Sequence, residues 1–287
     1  MPLAALTFLC MTIFASNSIF CRAALVSCGM GPLQYTGVRC LSAAFILALL
    51  CCARVIRPEA PGGSAWREAW EQSTWTGALA LFCYMVTFSL AYVGMPSAPG
   101  TLILNMCVQF CMVGWGMLHG LYPGRRQYLG FGIATAGLVA LLSPGLTAPP
   151  LLGALLMAGS GFAWGAYSLC GRHASSAALA TAGHFWRASV FGLASLLFAL
   201  IYESAGVPMA FAFALAGGLA SSLGYILWYA IVPRYTLVGA SIIQLSVPVI
   251  TAVLGALVLS EAITMRLGIC SALILGGIYT ALRARTR

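Results

Sequence analysis

Two residue types are missing from this chain altogether. Its 287 residues include no lysine and no aspartate. A phosphate-cradling P-loop needs a lysine on the nucleotide phosphates, so ATP hydrolysis by that route is excluded. Aspartyl chemistry inside a membrane is excluded by the same kind of absence. Charge of either sign is scarce: 7% of residues are charged, against about 25% in a soluble domain. The five acids are Glu59, Glu68, Glu71, Glu203 and Glu261, and all fall in loops or at the ends of apolar stretches. No carboxylate lies at mid-bilayer depth, where a proton relay or cation site usually needs one. HExxH and CxxC are absent too, and no nucleophile, histidine and acid share one depth. The chain is therefore expected not to be an enzyme. A membrane-embedded enzyme stays as the rival of a different class. No catalytic residue, metal site or cofactor is expected.

What the chain has is apolar length. It is 61% hydrophobic, and a spanning helix needs about 20 apolar residues. Spans are expected at 3–27, 32–53, 75–95, 98–118, 127–143, 150–171, 181–202, 209–231, 237–259 and 264–283. These runs are too long and unbroken for the alternating strands of a β-barrel. The net charge of +9 comes from 14 arginines, and their placement speaks for lipid rather than nucleic acid. With the N-terminus inside, Arg54, Arg57, Arg67, Arg125, Arg126, Arg172, Arg234, Arg283, Arg285 and Arg287 fall on the cytoplasmic side. Only Arg22, Arg39 and Arg266 fall in the outer half. This positive-inside bias puts both termini in the cytoplasm, and the expected location is a bacterial inner membrane. The first stretch carries no basic flank and outruns a signal-peptide core, so it is expected to remain as a span. The longest loop, 54–74, holds WREAWEQSTW, which predicts a short interfacial helix anchored by Trp66, Trp70 and Trp75.

The apolar pattern repeats. Phe14-Ala15 and Arg39 recur as Phe162-Ala163 and Arg187 at a spacing of 148. Gly100, Val108, Gly116 and Leu118 recur as Gly239, Val247, Gly255 and Leu257 at a spacing of 139. Five spans per copy is an odd number, so the second copy must enter from the opposite side. The expected fold is an all-α membrane protein with ten transmembrane helices, arranged as two inverted five-helix repeats, residues 1–145 and 146–287. Such repeats with a site between them are the mark of alternating-access transporters.

Polar groups inside spans need a reason. Ser16 and Asn17 lie near the middle of the first span, Asn105 and Gln109 one turn apart in the fourth, and Gln244 in the ninth. Pro248 removes an N–H and frees the Gln244 carbonyl, which then either takes part in a polar site or marks a kink. Aromatics recur at helical spacing: Tyr84 and Phe88 in the third span, Trp164 in the sixth, Tyr225 in the eighth. They are either packing or the lining of a site for a neutral or zwitterionic ligand with a flat apolar part. Arg39 and Arg187, at mirrored depths, either capture a carboxylate or phosphate or snorkel and steady two gates. His184, one turn before Arg187, is a further gate candidate. Glu261 is read as capping the last outer turn, with Arg266 as its partner. Pro99, Gly100, Gly239 and Pro248 are candidate hinges. Gly161/Gly165, Gly116/Gly120 and the stripe Gly268, Ala272, Gly276, Thr280 offer small faces for close helix packing. On the last span that face is read as packing within the chain, with a homodimer seam as the alternative to a monomer. The eleven cysteines, Cys107 and Cys111 included, are read as small core residues.

The stretch LVGASIIQLSVPVITAVLGALVLSEAIT at 237–264 resembles the second-repeat signature of the drug/metabolite transporter superfamily, in its EamA-type branch. Gly239, Ala240, Pro248, Gly255 and Glu261 carry the match. FASNSIFCRAAL at 14–25, VRCLSAAFILAL at 38–49 and GFAWGAYSLCGRHA at 161–174 resemble the openings of the two repeats. The resemblance implies eight helices around a central cavity, the last of each repeat peripheral, and export or exchange of a small solute. Trp164 and Tyr84 would suit an aromatic amino-acid exporter. Relatives that move protons and cations use a glutamate in the first helix, and this chain has none there. Organic-phosphate exchangers use basic cavity residues including lysine, and here only Arg39 and Arg187 remain. Tyr122 stands where the second repeat has Glu261. The expected cargo is a small neutral or zwitterionic metabolite, first of all an aromatic or hydrophobic amino acid, moving down its own gradient, with an anionic metabolite as the alternative.

Overall fold

The computed structural model describes residues 2–59, 62–120, 124–143, 145, 148–170, 174–204, 206–231, 234, 243–244 and 246–283. Gly239, Ala240, Tyr122 and Arg172 lie outside them. The described residues form helices joined by turns, without a strand among them: α1 Leu3–Arg22, which runs on through a wider turn at Ala23–Ser27, α2 Pro32–Cys52, α3 Ala65–Glu71, α4 Trp75–Gly94, α5 Ser97–Leu118, α6 Arg125–Leu142, α7 Leu151–Cys170, α8 Ala177–Tyr202, α9 Pro208–Ile231, α10 Ser246–Leu259 and α11 Met265–Arg283. Helix is what lipid demands, because each backbone N–H and C=O must be satisfied within its own segment.

The boundaries follow local chemistry. Pro32 and Pro208 sit at first helical positions, where the missing N–H costs nothing. Thr74 caps α4 by accepting from Gly77 N at 3.1 Å. Ser176 caps α8 from Leu179 N at 3.3 Å, which starts that helix four residues before the expected 181. Gly120, at φ +80°, ends the turn after α5.

Among the described residues, seven helices are long and apolar enough to cross a bilayer: Leu3–Ser27, Pro32–Cys52, Trp75–Gly94, Ser97–Leu118, Leu151–Cys170, Ala178–Tyr202 and Pro208–Trp228. Ser246–Leu259 and Met265–Ala281 are shorter apolar helices, and α6 opens on Arg125-Arg126. Outward faces are apolar, as with Leu151, Leu152 and Leu155 on α7 and Leu197, Leu200 and Ile201 on α8, all exposed. This is a multi-pass membrane protein.

The packing has a regularity. α1 packs on α9 and α10, while α7 packs on α4 and α5; α2 packs on α9, while α8 packs on α4. Exchanging α1, α2, α4, α5 and α6 for α7, α8, α9, α10 and α11 maps each of these pairs onto another, and maps α2–α8, α5–α10 and α6–α11 onto themselves. Among the described helices, α3 alone has no counterpart.

Glycines set the closest approaches. A Cβ on Gly161 or Gly165 of α7 would strike the Leu104 carbonyl or Cys111 of α5. One on Gly277 would strike Gly130 O and Ala134 N of α6. The stripe expected to pack α11 inside the chain does not do so. Gly268, Ala272, Gly276 and Thr280 are all exposed, because α11 turns Cys270, Ile274, Gly277, Ile278 and Ala281 toward α6 instead. Adjacent glycines should therefore behave oppositely. Gly277→Ala should destabilise by about 1–3 kcal/mol, the usual cost of overpacking. Gly276→Ala, with open space around it, should leave the melting temperature in detergent unchanged or higher.

Candidate functional site

Contacts between helix ends sort them into two faces: the start of α4 meets the start of α8, while the end of α1 meets the end of α4 and the end of α8 meets the start of α2. The near face carries the starts of α1, α4 and α8 and the ends of α2, α5, α7 and α9. The far face carries the opposite ends. Between them, α1, α4, α5, α7, α9 and α10 enclose a cavity of about 360 Å³. Seven of its eighteen wall residues are aromatic: Phe14, Tyr84, Phe88, Trp164, Tyr167, Tyr225 and Trp228. Polar groups interrupt it at Asn17, Ser18, Thr101, Asn105, Ser168, Ser221 and Gln244. No carboxylate, lysine, arginine or histidine is among these lining residues.

Seven sequence candidates thus meet at one cavity: Asn17, Tyr84, Phe88, Asn105, Trp164, Tyr225 and Gln244. Two neighbours do not. Ser16 donates to Ile13 O at 2.8 Å and is off the wall, since adjacent helical residues point about 100° apart. Gln109 is half-buried on α5, whose lining stripe runs Thr101, Leu104, Asn105, Val108, Met112 and passes it by. Sequence reasoning missed Phe14, Thr101 and Ser221 as wall residues. The pair Ser221-Ser222 in an apolar span was the available signal for the last.

The rings form a continuous chain. Centroid distances run 4.6 Å for Phe88–Tyr92, 5.5 Å for Tyr84–Phe88 and 4.9 Å for Tyr84–Trp164. Trp164 then stacks on Tyr225 at 5.1 Å and 23°, and Phe14 joins Tyr225 at 6.0 Å and Trp228 at 6.1 Å.

Arg39 lies just behind this wall. Its Nε donates to Ser221 Oγ at 3.1 Å and its Nη2 to Tyr84 Oη at 3.4 Å. The guanidinium carbon lies 5.2 Å from the Phe88 ring centre. Ser221 Oγ is 3.2 Å from Asn17 Oδ1, so one cluster joins α1, α2, α4 and α9.

Arg187, its sequence counterpart, is elsewhere. Its guanidinium stacks 3.9 Å above the Trp70 ring of α3, a cation–π contact, and it is not on the cavity wall. Trp66 stacks on Trp186 at 4.4 Å, and Gly183 admits the α3 backbone where a Cβ would strike Ala69 O. His184 Nε2 accepts the Thr74 N–H at 3.1 Å, holding the start of α4. These four α8 residues, Gly183, His184, Trp186 and Arg187, bolt α3 and α4 to α8 on the near face.

The far face is closed by residues that sequence reasoning placed differently. Glu261 pairs with Arg22, Oε1 to Nε at 3.1 Å, and not with Arg266. Arg266 instead donates to Ala140 O at 2.7 Å and to Ser143 O at the end of α6. Glu261 Oε2 also accepts Ser97 N at 2.8 Å and Ser97 Oγ at 2.6 Å, and so caps α5. Tyr92 Oη reaches Ser18 Oγ at 3.0 Å and Ser97 O at 3.2 Å. The Arg22–Glu261–Ser97–Tyr92 group therefore sits directly over the cavity, whose wall includes Ser18. A second far-face carboxylate, Glu203, accepts the N–H groups of Leu33 and Gln34 at 3.1 and 2.9 Å and caps α2. Gly100, a hinge candidate, lies where a Cβ would strike the Tyr92 ring. Pro99 and Pro248 fall in the first turns of α5 and α10.

Residues 151–283 match the EamA-like transporter family. The chain is 42% identical over 284 residues to an uncharacterized protein of Pseudomonas aeruginosa, covering 98% of this chain and 94% of that one. A solved crystal structure of a protein 20% identical is similar with a TM-score of 0.67, over 97% of this chain and 96% of that chain. That last likeness is one of fold. With a helical bundle crossing the membrane around a central cavity, and with residues 151–283 matched, the second half of the chain belongs to the EamA-like transporter family.

Proposed function

We propose that the protein is an alternating-access carrier of small zwitterionic amino acids with aromatic or hydrophobic side chains. In this reading it consists of two inverted five-helix halves, 1–145 and 146–287, in a bacterial inner membrane with both termini in the cytoplasm. The observation that carries the proposal is the aromatic cavity. Its volume of about 360 Å³ falls in the range of about 300–1,000 Å³ usual for small-molecule sites. The stacked faces of Trp164 and Tyr225 suit a flat apolar group, and the neighbouring amides suit its polar end.

The halves share the cavity equally, with α1, α4 and α5 from one and α7, α9 and α10 from the other. The exchange symmetry of the helix packing supports the repeat. The cavity wall reaches Met112, Ser168 and Trp228 near the near-face helix ends, and the Arg22–Glu261 group bars the far face. Rocking of the halves would break that group and tighten the near face. The arginine bias assigns the near face to the cytoplasm, so this is the inward-facing state. Pro99, Gly100 and Pro248 flank the moving ends, and hinge roles fit their places.

A second reading, exchange of anionic metabolites, draws support from Arg39 behind the wall. Arg187 lends it none, being covered by Trp70.

Ligand panels on the purified protein test the proposal. A ligand that binds only the folded state at about 100 times its Kd stabilises by about 2.7 kcal/mol. Phenylalanine, tyrosine or tryptophan should raise the melting temperature by several degrees, while glycine and phosphate should not. A shift with phosphate or dicarboxylates alone would favour the second reading and sink the first.

A further inference from the structure

Arg39 is 1% exposed, and no described carboxylate pairs with it. The ion pairs among the described residues are Arg22–Glu261 and Arg67–Glu71. Its Nη1 has no hydrogen-bond partner there. A buried, unneutralised guanidinium is costly unless something anionic comes within its field. The groups it does touch, Tyr84 and Ser221, both line the cavity, as does Asn17 one bond further on.

The hydrogen-bond directions of that cluster decide what it offers. Arg39 is donor-only, so the Tyr84 and Ser221 oxygens are acceptors toward it. The Tyr84 hydroxyl proton is then left to donate elsewhere, on a residue whose side chain lines the cavity. Ser221 Oγ approaches Gly217 O at 2.8 Å and Asn17 Oδ1 at 3.2 Å. Asn17 Nδ2 spends one proton on Ile13 O at 3.3 Å and keeps the other. The wall therefore presents an O–H and an N–H, backed by a fixed positive charge that water does not reach. That is a receptor for a carboxylate and a repulsive site for an ammonium ion. Gly217 and Gly218 make the arrangement possible. A Cβ on either would strike Tyr35 Oη, Ser42 Oγ or the Arg39 carbonyl, so α9 can bring Ser221 onto Arg39 only without one.

We infer that the Arg39–Tyr84–Ser221–Asn17 cluster is the carboxylate subsite of the cavity, with Arg39 a positioning residue that makes the carrier select carboxylate-bearing substrates over amines of the same shape. The inference rests on the proposed amino-acid carrier function. The ammonium of the substrate lies away from this cluster, toward Asn105 and Gln244.

The test is counterflow in proteoliposomes with three radiolabelled compounds: phenylalanine, phenylpropionate, which lacks the ammonium, and phenylethylamine, which lacks the carboxylate. The native protein should favour phenylalanine over phenylethylamine by more than about tenfold, the worth of one charge-assisted contact. Arg39→Gln should collapse that ratio toward one by loss of carboxylate flux, and Arg39→Lys should restore part of it. Tyr84→Phe keeps both the ring and Arg39, so it decides the matter if Arg39→Gln fails to fold. It should lower the ratio several-fold. An unchanged ratio in folded Arg39→Gln, or in Tyr84→Phe, overturns the inference and leaves the carrier reading intact. Equal movement of phenylalanine and phenylethylamine by the native protein does the same. Movement of none of the three overturns both.

Discussion

Glu261→Gln is expected to open the far face. The Glu261 carboxylate holds Arg22 Nε, Ser97 N and Ser97 Oγ, three donors from the first half gathered on one side chain from the second. Glutamine keeps a single acceptor and points its NH₂ at groups that are themselves donors. Charged hydrogen bonds contribute roughly 1.5–3 kcal/mol each, and part is regained by water at the opened end. A net loss of about 2 kcal/mol would shift the balance of states roughly thirtyfold. Arg22→Gln should act in the same direction, and the double variant should cost less than the sum of the two, because both changes break the shared Arg22–Glu261 pair. Hydrogen–deuterium exchange is the readout. Uptake should rise in peptides covering 92–101 and 255–264. If the halves rock as one, uptake should fall at the same time on the near face, in α3 and the start of α8. A far-face rise with an unchanged near face would mean simple loosening of a turn.

The second large effect is expected at Trp164. Its ring touches Tyr84 from the first half and Tyr167 and Tyr225 from the second, at the centre of the aromatic chain. Truncating a central aromatic anchor commonly costs 2 kcal/mol or more of binding, so Trp164→Ala should weaken substrate at least about thirtyfold. Trp164→Phe keeps a ring and should lose much less. The half-saturation of exchange measures both. Equal, small effects from the two changes would make Trp164 a packing residue and move the site elsewhere in the cavity.

The parts legible in the sequence are those written by lipid and by helical spacing. Seven of the expected spans coincide with described helices long and apolar enough to cross a bilayer, since apolar length favours helix in lipid. The wall residues Tyr84, Phe88, Asn105 and Trp164 were legible because polar or aromatic side chains inside a span need a common interior. The closures were not legible. Arg22 and Glu261 are far apart in sequence, while Arg266 is close to Glu261. Only the fold shows that Arg266, in the first turn of α11, faces the α6 carbonyls. Arg187 seemed the equal of Arg39 by repeat spacing. The α3 helix, which has no counterpart among the described residues of the second half, breaks that equivalence by laying Trp70 over it. The α11 stripe at every fourth residue could face inward or outward with equal right. The glycines of α6, Gly130 and Gly137, choose the face of Gly277 by what they leave room for.

The central claim is that one aromatic cavity carries an amino acid across the membrane. Counterflow tests it most directly: proteoliposomes preloaded with unlabelled phenylalanine are diluted into a trace of labelled phenylalanine. The account predicts transient accumulation of label that Trp164→Ala abolishes while the variant still elutes and melts as a folded protein. Absence of accumulation with phenylalanine and every other amino acid, or accumulation that Trp164→Ala leaves untouched, would contradict it.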